Sequence, residues 1–166
     1  MSDGDAPAIR VVRLEGPARL PEALGCIHAA FGEYQDTLVP PSAALNETVA
    51  TLGRRLADGA VFLAEAGEGE VLGAVCAEID GDAVYLDRLA VLPDARRRGV
   101  AAVLVAAVEA FAAASGATKV RLGVRLALAG NIAMFERLGY SETGRKAHPG
   151  FSEPTSAAMA KPVGGW

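Results

Sequence analysis

The spacing of apolar and polar residues divides the chain into helix-like and strand-like segments. Apolar residues recur three and four positions apart at residues 17–34 and again at residues 42–57, and this spacing predicts two helices. Ser42 is the expected N-cap of the second helix. The segment before them, residues 8–15, alternates loosely and is rich in β-branched residues, so it is predicted to be a strand.

After the second helix the pattern becomes strand-like. Three such runs occupy residues 61–66, 71–79 and 83–92, and the connections between them read GEGE and DGD. Short connections that contain glycine favour hairpins, so the three runs are predicted to form an antiparallel meander.

The second half of the chain alternates between helices and strands. A long apolar helix is predicted after PDARRRG, with Gly116 as its C′ residue, and a strand at residues 118–124. A short helix follows, with Asn131 as its expected cap and Gly139 at its end, before two strands near residues 140–146 and 155–163. The strand–helix–strand unit at residues 85–125 requires a crossover, so its two strands are expected to be parallel neighbours.

The predicted element order is therefore β-αα-βββ-α-β-α-ββ, which indicates one mixed α/β domain. The chain has 166 residues, of which 51% are hydrophobic, enough for a single core. We assign residues 1–8 to a disordered, solvated tail and residues 9–166 to the domain. No apolar run is long enough to cross a membrane, and the N-terminus does not resemble a secretory signal. A cytoplasmic protein without a membrane partner is expected.

Charge and composition exclude two further classes of function. The formal net charge of −4 argues against a nucleic-acid partner. The two cysteines, Cys26 and Cys76, are predicted to be buried apolar residues, and neither they nor His28 and His148 have the spacing of metal ligands. No metal site is expected.

Three consecutive arginines, Arg96, Arg97 and Arg98, stand immediately before the long apolar helix. A helix N-terminus carries partial positive charge, so a bound anion is favourable there and cations alone are not. The only glycine nearby is Gly99, which excludes both the P-loop pattern and the GxGxxG pattern. What remains is Arg-x-x-Gly-x-Ala between a strand and a helix, where a phosphate could approach the unpaired N–H groups of the first turn.

These residues resemble the GNAT superfamily of acetyl-CoA-dependent N-acetyltransferases. LDRLAVLPDARRRGVAAVLV, residues 86–105, is similar to the central motif of that family, and NIAMFERLGY, residues 131–140, is similar to its later motif. The resemblance implies a central mixed, mostly antiparallel sheet with helices on both faces, in agreement with the element order above. It also implies acetyl-CoA (coenzyme A) as co-substrate, without a metal.

The resemblance assigns cofactor-binding positions to three parts of the chain. In the family, main-chain N–H groups of the arginine–glycine loop bind the pyrophosphate of coenzyme A, and the preceding strand pairs with the pantetheine. The amide of Val91 matches the position that polarises the thioester carbonyl, and two positions of the later motif lie near the pantetheine and the sulfur. The implied residues are Leu89, Ala90, Val91, Arg96, Arg97, Arg98, Gly99, Val100, Ala101, Ala102, Asn131 and Phe135.

The acceptor amine needs a base, because a lysine-like amine has a pKa of about 10.4 and must lose a proton before it attacks. Strand alternation places Asp87 on the same face as Leu89 and Val91, so Asp87 is the candidate catalytic base. Some family members carry Glu at the matching position. Glu78 is the second choice.

Several of these residues have structural alternatives. Asp87 could be an ion-paired strand residue, with Arg88 or Arg125 nearby, and Asn131 could serve only as a helix cap. The sequence departs from the family pattern at Phe135, since many members have a Tyr there that acts as general acid. Water, Tyr85 or His148 are the other candidates for that role, and Tyr140 is expected to pack.

The favoured function is transfer of an acetyl group from acetyl-CoA to a primary amine, by direct attack in a ternary complex. A small molecule is the expected acceptor, and a protein N-terminus or lysine is the alternative. A non-catalytic acyl-CoA-binding or sensing domain is a second hypothesis, which Phe135 keeps open, and a mononucleotide-binding α/β protein is a third. The loop QDTLVPPS, where family members often build the acceptor pocket, has no diagnostic carboxylate cluster. Dimers are common among similar proteins, so a homodimer is one of the expected assemblies.

Overall fold

A computed structural model describes residues 8–164, so the tail predicted at residues 1–8 lies outside the described residues except for Ala8. The elements are β1 (Arg10–Arg13), α1 (Leu20–Gly32), α2 (Val49–Asp58), β2 (Gly59–Ala66), β3 (Glu70–Asp80), β4 (Ala83–Val91), α3 (Val100–Ala114), β5 (Lys119–Arg125), α4 (Ala129–Arg137), β6 (Ser141–Lys146) and β7 (Ser156–Pro162). Short 3₁₀ turns precede α1, α2 and α3. None of the helices in this part of the chain is both long and apolar enough to span a membrane.

The strands form one seven-stranded sheet in the order β1-β2-β3-β4-β5-β7-β6. Neighbouring strands are antiparallel except β4 and β5, which are parallel. The predicted meander of β2, β3 and β4 is confirmed. The predicted parallel pair is confirmed as well, and α3 supplies the crossover that parallel neighbours need between β4 and β5. The mixed, mostly antiparallel α/β fold is confirmed with them.

Each face of the sheet has its own apolar core. Leu20, Ile27 and Leu52 of α1 and α2 pack on one face, and Leu104 of α3 and Phe135 of α4 belong to the core on the other. The alternation of β2 divides its side chains between the two cores. We call these the α1–α2 face and the α3–α4 face.

The predicted starts of two helices are wrong. Ser42 caps a 3₁₀ turn, Ala43–Asn46, while α2 begins later, where Thr48 and Thr51 form a reciprocal capping box. Asn131 is not a cap, because α4 begins at Ala129 and Asn131 already lies within its first turn. The turn that follows β5 leads directly into this helix, with the Asn131 N–H donating to the Leu128 carbonyl at 2.9 Å.

The predicted ends of α3 and α4 are confirmed. Gly116 and Gly139 have φ of +81° and +98°, the left-handed conformation that a helix C′ position favours. Behind each glycine the chain turns back onto the helix, and the Tyr140 N–H donates to the Phe135 carbonyl at 3.0 Å. These ends follow from local sequence alone.

Candidate active site

A cavity of about 1020 Å³ opens where β4 and β5 separate. The two strands pair only at Ala83↔Lys119, Val84↔Val120 and Tyr85↔Arg121. Beyond Tyr85, the edge of β4 that faces β5 has no strand partner, although both strands continue. An extended molecule inserted there could hydrogen-bond to the strand backbone as an added strand does.

The N-terminus of α3 forms one wall of this cavity. Gly99 precedes the helix with φ +81°, and Arg97 also has a positive φ of +64°. Within residues 8–164, no side chain caps this helix start, and its first turn contains no acidic residue. The first three N–H groups of α3 have no intrahelical acceptor, and a Cβ at Gly99 would meet no protein atom within 4 Å. Open N–H groups at a helix start have the chemistry that an anion requires.

The three arginines before α3 have different surroundings. Arg96 donates from Nη1 to Oε1 of Glu33, the residue that follows α1, at 2.6 Å. This ion pair connects the loop before α3 to the end of α1. Arg97 and Arg98 are exposed and form no ion pair with any residue of the described chain. Of these two, Arg97 lines the cavity and Arg98 does not.

The side chains of α4 form a second, more apolar wall. Phe135 is buried and makes an edge-to-face contact with Tyr140, with ring centroids 5.6 Å apart. Tyr140 Oη donates to Glu109 Oε2 at 2.9 Å, so the predicted packing role of Tyr140 is confirmed. Asn131 and Phe135 both line the cavity, as the sequence motif implies.

A β-bulge in β4 overturns the expected position of Asp87. Cys76 pairs with Asp87 and Ala74 pairs with Ala90, so two residues of β4 stand opposite the single residue between them on β3. Arg88, in the bulge, has φ +55°. The alternation is thereby shifted: Leu89 and Val91 pack on the α3–α4 face, whereas Asp87 reaches a residue of α2. The prediction that these three residues share a face is wrong.

Asp87 belongs to a network of four charged side chains. Its Oδ2 accepts from Arg55 Nη1 at 2.9 Å, and its Oδ1 accepts from the backbone N–H of Arg88 at 3.0 Å and lies 3.6 Å from Arg88 Nη1. Glu47 Oε2 accepts from both arginines, at 3.0 Å and 2.8 Å. The ion-paired alternative for Asp87 is therefore present, with Arg88 as expected and with Arg55 in place of Arg125.

Glu47 is the buried centre of that network, with 6% of its surface exposed. Burial alone would raise the pKa of its carboxyl group, but hydrogen bonds from Thr51, Arg55 and Arg88 outweigh it and lower the pKa to about 2. Sequence analysis missed Glu47 and Arg55. Their spacing held a signal, because Glu47, Thr51 and Arg55 recur every four residues within the helix predicted at residues 42–57, although Glu47 stands just before the start of α2.

Other candidates fall in different places. Glu78 is outside the main cavity and borders a smaller hollow beside Glu47 and Arg55. Tyr85 lines the main cavity, and burial, followed by the negative charge of Asp87, raises the pKa of its phenol. His148 also lines it, with its backbone N–H donating to Thr155 Oγ1 at 3.0 Å.

Comparison with known proteins shows the family to which the chain belongs. The model of the acetyltransferase (GNAT) family matches residues 27–140, more than half of the chain. The chain belongs to the GNAT family. No curated protein sequence matches it.

Solved structures share the GNAT fold over nearly the whole chain. The ribosomal-protein-S18-alanine N-acetyltransferase of Escherichia coli is 21% identical, with a TM-score of 0.75 and 96% of each chain covered. The PaiA N-acetyltransferase of Thermoplasma acidophilum, solved in complex with coenzyme A, is 14% identical, with a TM-score of 0.79 over 94% of this chain and 99% of that one. At these identities the likeness concerns the fold.

Within this GNAT fold, ten of the twelve sequence-implied cofactor positions line the cavity, and Ala90 and Arg98 do not. Leu89 and Val91 lie on β4, Phe135 lies on α4, and the arginine–glycine loop connects β4 to α3. All three parts of the chain contribute to the lining of one cavity. Ala90 differs, since it is buried in the core on the α1–α2 face. Ala90 could therefore offer a ligand its backbone and not its side chain.

Proposed function

We propose that this GNAT protein is an N-acetyltransferase that transfers an acetyl group from acetyl-CoA to a primary amine of a small molecule. The observation that carries the proposal is one cavity that combines an open helix N-terminus with an unpaired stretch of β4. A pyrophosphate needs the first feature and a pantetheine chain suits the second. The direct attack of the amine in a ternary complex agrees with the absence of a cysteine from both motifs.

The residues around α3 fit the anionic end of coenzyme A. The N–H groups of Val100, Ala101 and Ala102 are open, Gly99 leaves space beside them, and Arg97 and Arg98 can add charge-assisted hydrogen bonds. Bound acetyl-CoA would supply the acetyl group as a reactive thioester and would leave as the free thiol of coenzyme A. The amide of Val91 is the donor we assign to the thioester carbonyl, where a fixed N–H stabilises developing negative charge.

We assign the role of general base to Asp87, which would accept the proton of the attacking amine. Each of its oxygens accepts one close hydrogen bond, and each has a further lone pair. The bulge at Arg88 places Leu89 and Val91 on the α3–α4 face, opposite the α1–α2 face on which Asp87 lies. The acceptor would therefore approach the separated strands from the α1–α2 face, while the cofactor lies along the α3 side.

The leaving thiolate needs a proton that Phe135 does not have. Of the cavity-lining groups, we assign this role to Tyr85, directly or through water. The raised pKa of its phenol keeps the hydroxyl protonated at neutral pH. Its Oη lies 3.0 Å from the position that a Cβ at Gly123 would occupy, so the glycine leaves the hydroxyl room on β5.

Thiol release measured against a panel of amines, together with calorimetric binding of coenzyme A, tests the proposal. We expect binding of coenzyme A and acceptor-dependent release of free thiol. Binding without turnover on any small amine, but with turnover on peptides, would make the acceptor a protein N-terminus or lysine. Binding without any turnover would indicate the non-catalytic acyl-CoA-binding domain, and a failure to bind coenzyme A would reject both.

A further inference from the structure

The arginines around the cavity differ in whether a carboxylate neutralises them. Arg88 is paired with Glu47, and Arg96 is paired with Glu33. Arg125, the last residue of β5, has no carboxylate within 4.0 Å among residues 8–164. Its recorded hydrogen bond runs from Nη2 to the Pro41 carbonyl, at 3.1 Å.

This guanidinium faces the acceptor side of the cavity. Val124 belongs to the core of the α3–α4 face, so the next residue, Arg125, projects toward the α1–α2 face. Asp87 lies on that same face of the neighbouring strand, and both residues line the cavity. Of these two residues, Asp87 is already held by arginines, whereas Arg125 has no acidic partner among residues 8–164.

The surroundings of Arg125 remove water without supplying a counter-charge. Burial lowers the pKa of its guanidinium, and the neighbouring His148 is also basic, with a pKa lowered by burial and then by the positive charge of Arg125. A guanidinium has five N–H donors, of which one is used here. A partly desolvated cation with open donors is suited to a bidentate carboxylate.

We propose that Arg125 binds a carboxylate of the acceptor, so that the acceptor is an amino acid or another small amine with a free carboxylate. This inference rests on the proposed acetyltransferase function and names its substrate class. The Pro41 carbonyl then holds the guanidinium of this cavity-lining residue in place from the loop before α2, and its other donors are left for the carboxylate.

Matched pairs of acceptors test the inference. Phenylalanine is compared with phenethylamine, and γ-aminobutyrate and 5-aminovalerate with butylamine and pentylamine, by kcat/KM for thiol release. We expect at least one carboxylated acceptor to exceed its partner. Arg125→Gln should lower kcat/KM for that acceptor by about 10- to 100-fold, mainly through KM, while leaving its uncharged partner unchanged. For each acceptor, kcat/KM of the variant is divided by kcat/KM of the wild type, and the two members of a pair are compared by this ratio. The different amine pKa values of the two acceptors then cancel.

Two variants and one binding measurement separate the possible results. Arg121→Gln, on the same strand but paired with Asp80, is the matched control and should keep the preference. Arg125→Lys should restore part of it, because a charge without the planar fork remains. Calorimetry should show that Arg125→Gln binds coenzyme A as the wild type does.

The inference is overturned if acceptors react but no carboxylated member is preferred. It is equally overturned if Arg125→Gln slows both members of a pair alike, since that result makes Arg125 only a tie to Pro41. If coenzyme A binds and no acceptor at all reacts, the proposed function itself fails, and this inference fails with it.

Discussion

Asp87 and Leu89 are two residues apart on β4, yet they lie on opposite faces of the sheet. The bulge at Arg88, with its φ of +55°, inserts an extra residue between them. The charged partner of Asp87 is Arg55 of α2, whereas Leu89 packs against the core beneath α3. The proposed base and the proposed cofactor positions of β4 are therefore on opposite faces of the sheet.

Asp87→Asn should lower kcat by about 10²–10⁴-fold, because the amide cannot accept the proton of the amine. The affinity for coenzyme A should stay unchanged, since Asp87 lies on the other face. Arg55→Gln is the control, because it removes the 2.9 Å partner but keeps the carboxylate. If the two variants lose the same kcat and the same stability, Asp87 acts only through its ion pair.

Gly99→Val should weaken coenzyme A binding by at least about tenfold, measured by calorimetry, and more than Arg96→Ala does. The side chain would occupy open space beside the helix N–H groups, and valine at φ +81° is strained by about 1–3 kcal/mol. Gly116→Val is a matched control at the other end of α3, with the same φ. Both valine variants should lose similar stability, and normal binding by Gly99→Val would place the anion site elsewhere.

Tyr85→Phe should lower kcat by about 10²-fold without changing the affinity for coenzyme A, because only a proton donor is removed. Tyr140→Phe removes a different hydroxyl, one that is buried and bonded to Glu109, and should leave kcat unchanged. An unaltered kcat in Tyr85→Phe would exclude Tyr85 and leave water or His148 as the donor.

Glu47→Gln should change how stability depends on pH. The folded-state pKa of Glu47 is about 2, below its ordinary value of 4.5, so its contribution is complete above pH 4.5 and is lost as pH falls toward 2. The contribution at neutral pH is roughly 3 kcal/mol by this linkage. Denaturant unfolding at several pH values should therefore show a smaller acid loss in Glu47→Gln. Glu68→Gln, in an exposed turn, should behave as the wild type, and parallel pH curves for all three proteins would contradict the role of Glu47.

The features that sequence predicted correctly depend on short-range rules. Gly116 and Gly139 end their helices because a left-handed residue is needed there. The parallel pairing of β4 with β5 follows from the length of the crossover. The start of α3 directly after Gly99 could be predicted because the glycine and the apolar helical run are contiguous in the chain, and its role as an anion site stays a prediction.

The features that sequence did not predict depend on tertiary contacts. The positive φ of Arg88 has no local signal, since an arginine rarely adopts it, and the register against β3 imposes it. Leu89 and Val91 therefore lie on the face opposite Asp87. The partnership of Glu47 with Arg88 joins residues 41 positions apart, and the lack of an acidic partner for Arg125 becomes visible only when all its neighbours are placed.

The separation of β4 and β5 gives the sheet an internal edge in addition to its two outer ones. Exposed edges are a hazard in most sheets, because they recruit strands from other chains. This edge is enclosed by cavity walls from α1, α3 and α4, which exclude a second polypeptide sheet. An extended ligand suits this edge, so the shape of the strands favours such a ligand independently of the side chains around it.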